Sequence, residues 1–138
     1  MGGEGSAKTF HAALYLVCRL RYDLILDPEP QKYWIVGQDY EDAQKEFSEV
    51  YNFLAELEDV DVKSKHMPNS KTDQWSLKTK SGQYIATVSG GDPTKIARET
   101  LHGVVGAEFT RWASKEVYDR SIGRIQRRFH KNSWGFFS

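Results

Sequence analysis

The residues whose types and spacing best fit a chemical task lie at the start of this chain. Gly2–Thr9 reads Gly-Gly-Glu-Gly-Ser-Ala-Lys-Thr, which matches the phosphate-binding pattern G-x-x-x-x-G-K-[ST] except that Ala7 replaces a glycine. In such a loop, backbone N–H groups surround the phosphates, the lysine neutralises their charge and the hydroxyl binds Mg²⁺. The pattern therefore predicts a site for a nucleoside triphosphate, and the alternative is a glycine-rich terminus ahead of an ordinary helix.

A second candidate is Glu108, which follows the short apolar run Leu101–Ala107. We expect that run to form a buried strand, so the Glu108 carboxylate would lie where ligands bind in open α/β sheets. A glutamate in that position can orient or deprotonate an attacking water. The alternative is an acidic residue that only closes a strand. The four histidines and the single cysteine lack metal-ligand spacing, so we propose no zinc site.

Hydrophobic periodicity predicts the elements that must position these residues. Strands alternate with helices, which indicates one α/β domain over residues 1–138, with a largely parallel sheet, flanking helices and an antiparallel hairpin. The predicted elements are a helix over 10–25, a strand over 33–37, a helix over 40–57 capped by Asp39, a hairpin over 75–88, a strand over 101–107, a helix over 115–127 and a strand over 134–137.

The charge is distributed unevenly along the chain. The 138 residues have a formal net charge of zero, but residues 1–62 carry −8 and residues 63–138 carry +8. Arg120, Arg124, Arg127 and Arg128 share one face of the last predicted helix and could follow a DNA backbone, or could form an ordinary solvated face. One cysteine excludes an internal disulfide framework, and no apolar run is long enough for a membrane span, so we expect no membrane association.

Taken together in order, four stretches resemble the ATPase domain of the large subunit of phage terminase, the motor that packages DNA into capsids. The stretches are Gly2–Thr9 as the Walker A loop, Tyr33–Gly37 with Tyr40–Phe47 as the second strand and helix, Leu101–Glu108 as the Walker B segment and Trp134–Ser138 as the strand before the coupling motif. The resemblance implies a P-loop fold and hydrolysis of ATP with Mg²⁺.

The resemblance also implies roles and partners. Gly2, Gly3, Glu4, Gly5, Ser6 and Ala7 would surround the phosphates, Lys8 would contact the β- and γ-phosphates, Thr9 would bind Mg²⁺ and Glu108 would be the catalytic carboxylate. Arg98 and Arg111 are candidates for the arginine finger. The implied partners are double-stranded DNA, the portal, the small terminase subunit and further copies of the large subunit. The implied location is the host cytoplasm, outside the mature virion.

The chain departs from the family pattern at three points. Ala7 replaces a glycine, Ala107 replaces the aspartate that usually precedes the catalytic glutamate, and no strand precedes the loop. We therefore expect an incomplete domain with an open position at the centre of its sheet, and low stability or self-association. These departures leave two alternatives to an ATPase motor, which are a non-catalytic relative that binds DNA or a packaging partner, and another P-loop ATPase such as a helicase.

Overall fold

Two helices and five strands make up the part of the chain that the structure describes. In this computed structural model, that part comprises residues 2–26, 31–37, 39–89, 103–106 and 134–137. The elements in chain order are α1 (Gly2–Leu26), β1 (Lys32–Gly37), α2 (Tyr40–Glu56), a 3₁₀ turn (Val62–Ser64), β2 (Ser76–Lys78), β3 (Tyr84–Ser89), β4 (Gly103–Gly106) and β5 (Trp134–Phe137).

The strands form one mixed sheet in the order β2-β3-β1-β4-β5. β1 pairs in parallel with both β3 and β4, β5 pairs in parallel with β4, and β2 pairs antiparallel with β3. This confirms the predicted α/β class, the largely parallel sheet and the antiparallel hairpin. The predicted helix over 115–127 lies outside the described residues.

Among the described strands, the sheet has no open position at its centre. β4 pairs directly with β5, with Gly103 opposite Trp134 and Gly106 opposite Phe137. Because β4 also pairs with β1 on its other side, its backbone groups have strand partners along both edges. The prediction of a gap is therefore wrong, and low stability or self-association no longer follows from it.

Side-chain alternation along β1 divides the core between the two faces of the sheet. Tyr33 and Ile35 lie on the face that packs against α1 and α2, where the buried helix residues include Leu16 and Phe47. Trp34 belongs to a separate buried cluster on the opposite face, with Val36, Ala86, Val88 and Val104. Both faces of the central strand are therefore buried, as expected for a parallel strand with a continuous apolar run.

A close approach of backbone to backbone connects β1 to α2. Asp39 is the N-cap of α2, and its carboxylate accepts a 2.9 Å hydrogen bond from the Asp42 backbone N–H. At Gly37, an ideal Cβ would lie 2.5 Å from the Ala43 backbone nitrogen and 2.9 Å from the Asp39 carbonyl oxygen. Position 37 therefore requires glycine because any side chain would push the helix away from the strand.

Replacing Gly37 with alanine tests this contact. We expect Gly37→Ala to lower the free energy of unfolding by about 1–3 kcal/mol, because the backbone of α2 must shift to accommodate the methyl group. The measurement is the denaturant midpoint at constant m-value. Lys32→Ala, at the exposed start of the same strand, is the control. Equal midpoints for the two variants would contradict the close-approach argument.

Candidate functional site

The backbone of Gly2–Thr9 is helical rather than a loop. α1 begins at Gly2, eight residues before the predicted start at Phe10, and ends at Leu26. In an α-helix, only the N–H groups of the first turn lack intrahelical partners, so those of Lys8 and Thr9 bond to carbonyls one turn earlier. The prediction of a loop over these residues is therefore wrong for this structure, whereas their role in binding phosphate stays a prediction.

Three residues of the segment favour the helix, whereas its three glycines oppose it. Glu4, Ala7 and Lys8 are strong helix formers, and each residue added to an existing helix gains a hydrogen bond. Position 7 lies within α1, where the backbone is right-handed. An alanine at that position is therefore favourable in the helical form, although the phosphate-binding pattern has glycine there.

Contacts near the C-terminal end of α1 fix the direction of the helix relative to the sheet. The Tyr33 hydroxyl, at the beginning of β1, donates a 2.8 Å hydrogen bond to the Asp23 carboxylate. The Gln83 side-chain amide, just before β3, donates to the Leu20 carbonyl at 2.9 Å. Thr9 lies about 21 Å before Asp23 along the helix axis, and β1 is about 20 Å long. Since residues 12–20 pack over the sheet, the C-terminal end of α1 lies where β1 and β3 begin, and its N-terminal end points to where these strands end.

α2 has the same direction as α1. Its N-terminus directly follows the carboxyl end of β1, and Asp59, just beyond its C-terminal end, lies beside α1. The Asp59 carboxylate is 3.7 Å from the Arg21 guanidinium and accepts a 3.2 Å hydrogen bond from the Lys80 backbone N–H in the β2–β3 turn. The N-termini of both helices therefore point to the edge where β1, β3, β4 and β5 end, which we call the carboxyl edge.

This geometry brings residues 2–9 and the end of β4 to one side of the molecule. Residues 2–9 form the end of α1 that points to the carboxyl edge, and β4 ends there at Gly106, two residues before Glu108. A helix N-terminus at the carboxyl edge of a parallel sheet is the usual setting for a phosphate group. The other named candidates lie outside the described residues, namely Arg98, Ala107, Glu108, Arg111, Arg120, Arg124, Arg127 and Arg128.

A buried polar cluster at the opposite, amino edge holds α1 in place. Asp23 accepts hydrogen bonds from Tyr33 and from Arg19 at 3.2 Å, and Gln83 donates to the Gln31 side chain at 2.8 Å. The Gln31 side-chain amide in turn donates to the Asp23 carbonyl at 3.3 Å. Burial, together with the hydrogen bond to the Asp23 carboxylate, raises the pKa of the Tyr33 hydroxyl well above its usual value.

Sequence reasoning missed this cluster, although a signal was present. Asp23 lies three residues after Leu20 and seven after Leu16, so it falls on the buried stripe of α1. Gln31 and Gln83 each directly precede a strand and are almost fully buried. A carboxylate on an apolar stripe predicts a buried partner, and Tyr33, the second residue of β1, is that partner.

A separate cavity of about 280 Å³ lies between α2 and the segment that leads to β2. Gln44 joins the two by donating to the Ser70 and Asp73 carbonyls at 2.8 and 2.9 Å. Among the described side chains, those that line this cavity belong to α2 and to residues 69–75, and none belongs to α1. Within the described residues, no group of histidine, cysteine or carboxylate side chains could hold a metal ion, and neither helix is long and apolar enough to cross a membrane.

Solved structures identify the architecture. The large terminase of a thermophilic bacteriophage has a TM-score of 0.56 and 13% identity over 79% of this chain and 26% of its own. The ATPase domain of the Thermus phage P74-26 large terminase has a TM-score of 0.54 and 15% identity over 98% of this chain and 54% of that chain. This chain has the fold of a large-terminase ATPase domain.

The first of these two enzymes, which we call the thermophilic-phage terminase, has also been solved in complex with ADP. That structure has a TM-score of 0.54 and 11% identity over 79% of this chain and 26% of its own. The present chain therefore spans about a quarter of the thermophilic-phage terminase and about half of the P74-26 ATPase domain. No protein-family model matches the sequence, and no curated protein matches it. At these identities, the terminase likeness is one of fold.

Removal of the Tyr33 hydroxyl tests the cluster that orients α1. We expect Tyr33→Phe to cost about 1–3 kcal/mol, because it deprives a buried carboxylate of a donor. Because the pKa of Tyr33 is raised in the folded state, its protonated hydroxyl contributes fully to stability at pH values below the unfolded-state pKa, which is near 10. This contribution is lost as the pH rises above that value. The variant should therefore lose less stability than the wild type between pH 9 and about 11.

The control is Tyr22→Phe, because the Tyr22 side chain is 49% exposed. Identical pH dependence of urea midpoints in wild type and Tyr33→Phe would contradict the assignment.

Proposed function

We propose that this chain belongs to an ATP-driven motor of the phage-terminase type, which binds Mg-ATP at residues 2–9 and uses its hydrolysis to drive DNA packaging. The observation that carries the proposal is the orientation of α1, whose N-terminus points to the edge where β4 leads into Glu108. The thermophilic-phage terminase, which shares this fold, has been solved with ADP. A nucleotide phosphate at the carboxyl edge of this chain is consistent with both observations.

The residues present fit the proposed ligand in chemistry. ATP would supply the phosphoryl group, with Mg²⁺ bound to it. Lys8 provides a cation for the β- and γ-phosphates, and the Thr9 hydroxyl is a suitable Mg²⁺ ligand. The N-terminal dipole of α1 favours negative charge at the same place. Glu108 would orient or deprotonate the attacking water.

The helical backbone of Gly2–Thr9 favours a second candidate function. Because the N–H groups of Lys8 and Thr9 bond within the helix, they cannot surround a phosphate until about two turns unwind. A non-catalytic relative, which keeps the fold and binds DNA or a packaging partner, needs no such change. Turnover of ATP distinguishes the two functions, since only the motor hydrolyses it.

The partners of the whole motor follow from the first candidate. Double-stranded DNA would be the cargo, the portal and the small terminase subunit would be assembly partners, and several copies of the complete large subunit would act together. We propose the host cytoplasm as the place of action. The support for all of these is the terminase fold.

Substitution of Lys8 and Glu108 tests the ATP site directly. We expect Lys8→Ala to weaken Mg-ATP binding at least tenfold, because it removes the cation that neutralises the phosphates. Glu108→Gln should leave binding intact and reduce turnover by about 10²-fold or more. Calorimetric titration and phosphate release measure the two effects, with Lys45→Ala as a surface-lysine control. Absence of binding heat in the wild type would reject the ATP site, whereas binding without turnover would favour the non-catalytic relative.

Substitution of Ala7 separates the helical state from the state that binds nucleotide. We expect Ala7→Gly to destabilise the helix by about 1 kcal/mol and to tighten Mg-ATP binding by up to about fivefold, because glycine favours the unwound loop. Circular dichroism measures helicity and calorimetry measures affinity. Ala12→Gly, in the buried middle of α1, should lower stability without tightening binding. Weaker binding by Ala7→Gly would contradict an equilibrium between helix and loop.

A further inference from the structure

Four exposed lysines lie along the outer edge of the sheet, and we call this set the basic edge: Lys63, Lys65, Lys78 and Lys80. β2 is the last strand on that side. The preceding segment lies alongside it, since the Asp61 backbone N–H donates to the Lys78 carbonyl at 2.9 Å and the Lys78 N–H donates to the Ser64 hydroxyl at 2.9 Å. These bonds bring the segment that carries Lys63 and Lys65 beside the strand end that carries Lys78 and Lys80.

The lysines flank both faces of the edge. Lys78 pairs with Tyr84 in the sheet and shares the face of the Trp34 cluster. Lys65 lies on the other face, where its ammonium group is 5.0 Å from the centre of the Tyr51 ring of α2. Lys63 lies in the 3₁₀ turn, and Lys80 lies two residues after the end of β2. A rod-shaped anion laid along the edge could therefore meet positive charge from both sides.

Among the described residues, the carboxylates of Asp59 and Asp61 lie beside the basic edge, but neither forms an ion pair with its lysines. The nearest acidic side chains have other contacts, because Asp59 accepts the Lys80 backbone N–H and lies beside Arg21, and Asp61 accepts the Lys63 backbone N–H at 3.1 Å. The four ammonium groups are therefore outside the described ion pairs, and that of Lys65 also donates to the Tyr51 hydroxyl at 3.4 Å.

We propose that the basic edge binds the phosphate backbone of double-stranded DNA without reading its sequence. Lysine ammonium groups act as point charges for phosphates, and they carry no base specificity. Single-strand sites add stacked aromatic rings, but the Tyr51 ring already lies beneath Lys65. The choice of DNA rests on the proposed packaging role, whereas the site needs no ATP turnover. The competing explanation is that lysines only prevent β2 from pairing with other strands.

The salt dependence of DNA binding by the full chain tests the proposal. Fluorescence anisotropy of a labelled duplex, without nucleotide, gives the affinity between about 50 and 200 mM salt. Replacement of all four lysines by glutamine should weaken binding at least tenfold at the lower salt concentration. It should also make the slope of log K against log salt shallower by about 3–4, since each phosphate contact contributes about 0.9.

Paired variants separate the site from net charge. Lys78→Gln with Lys80→Gln should weaken binding much more than Lys45→Gln with Lys71→Gln, which removes the same charge from lysines 4.0 and 3.6 Å from Asp42 and Glu41. Lys78→Arg with Lys80→Arg should retain both affinity and salt slope. Melting curves of every variant check that each remains folded.

Three outcomes would rule out DNA binding by the basic edge. The first is absence of duplex binding by the wild type, and the second is an equal loss of affinity in the two paired glutamine variants. The third is unchanged binding by the fourfold variant together with new aggregation, which would assign the lysines to protection of the strand edge. Tighter binding of a single strand than of the duplex would also reject the duplex assignment. A Mg-ATP titration of the fourfold variant, which keeps Lys8, distinguishes loss of the DNA site from failure of the ATP site.

Discussion

The hydrogen bond between Tyr33 and Asp23 orients α1 over the sheet, and the position of the proposed nucleotide site depends on that orientation. It joins the C-terminal part of α1 to the beginning of β1 and so determines the direction of the helix over the sheet. With that direction, residues 2–9 lie towards the carboxyl edge, where β4 also ends. The reversed helix would place the same residues at the amino edge, away from the strand ends that bind ligands in open α/β sheets. The proposed nucleotide site therefore depends on a contact at the far side of the sheet.

The energetics of this contact explain why it can select one orientation. A carboxylate that is almost fully buried is costly unless donors surround it, and Asp23 receives them from Arg19 and Tyr33. A shift of α1 along the sheet would move the Asp23 carboxylate away from its donors. An unpaired buried charge would then remain, which costs free energy. The polar cluster therefore disfavours a shifted or reversed helix.

Sequence reasoning predicted the elements well and the site only in part. Period-2 and period-3.6 patterns correctly predicted β1, α2 with its Asp39 cap, the β2–β3 hairpin and the strands β4 and β5. The pairing of β4 with β5 could not be predicted, because periodicity does not specify which strands become neighbours. The start of α1 was missed because a motif match outweighed the helix propensity of Glu4, Ala7 and Lys8. The basic edge was hidden because its lysines are separated in sequence and come together only through pairing beside β2.

The conflict between the motif and the helix at residues 2–9 has a physical resolution. A helix end can lose its first turns at modest cost, since each residue released gives up one hydrogen bond and regains backbone entropy. The remainder of α1 cannot unwind in the same way, because Leu16 and Leu20 are buried and Asp23 is hydrogen-bonded. Any change of state is therefore confined to the segment that matches the phosphate-binding pattern. A bound phosphate needs to supply only the small free-energy difference between helix and loop there, so the helical form is compatible with a competent site.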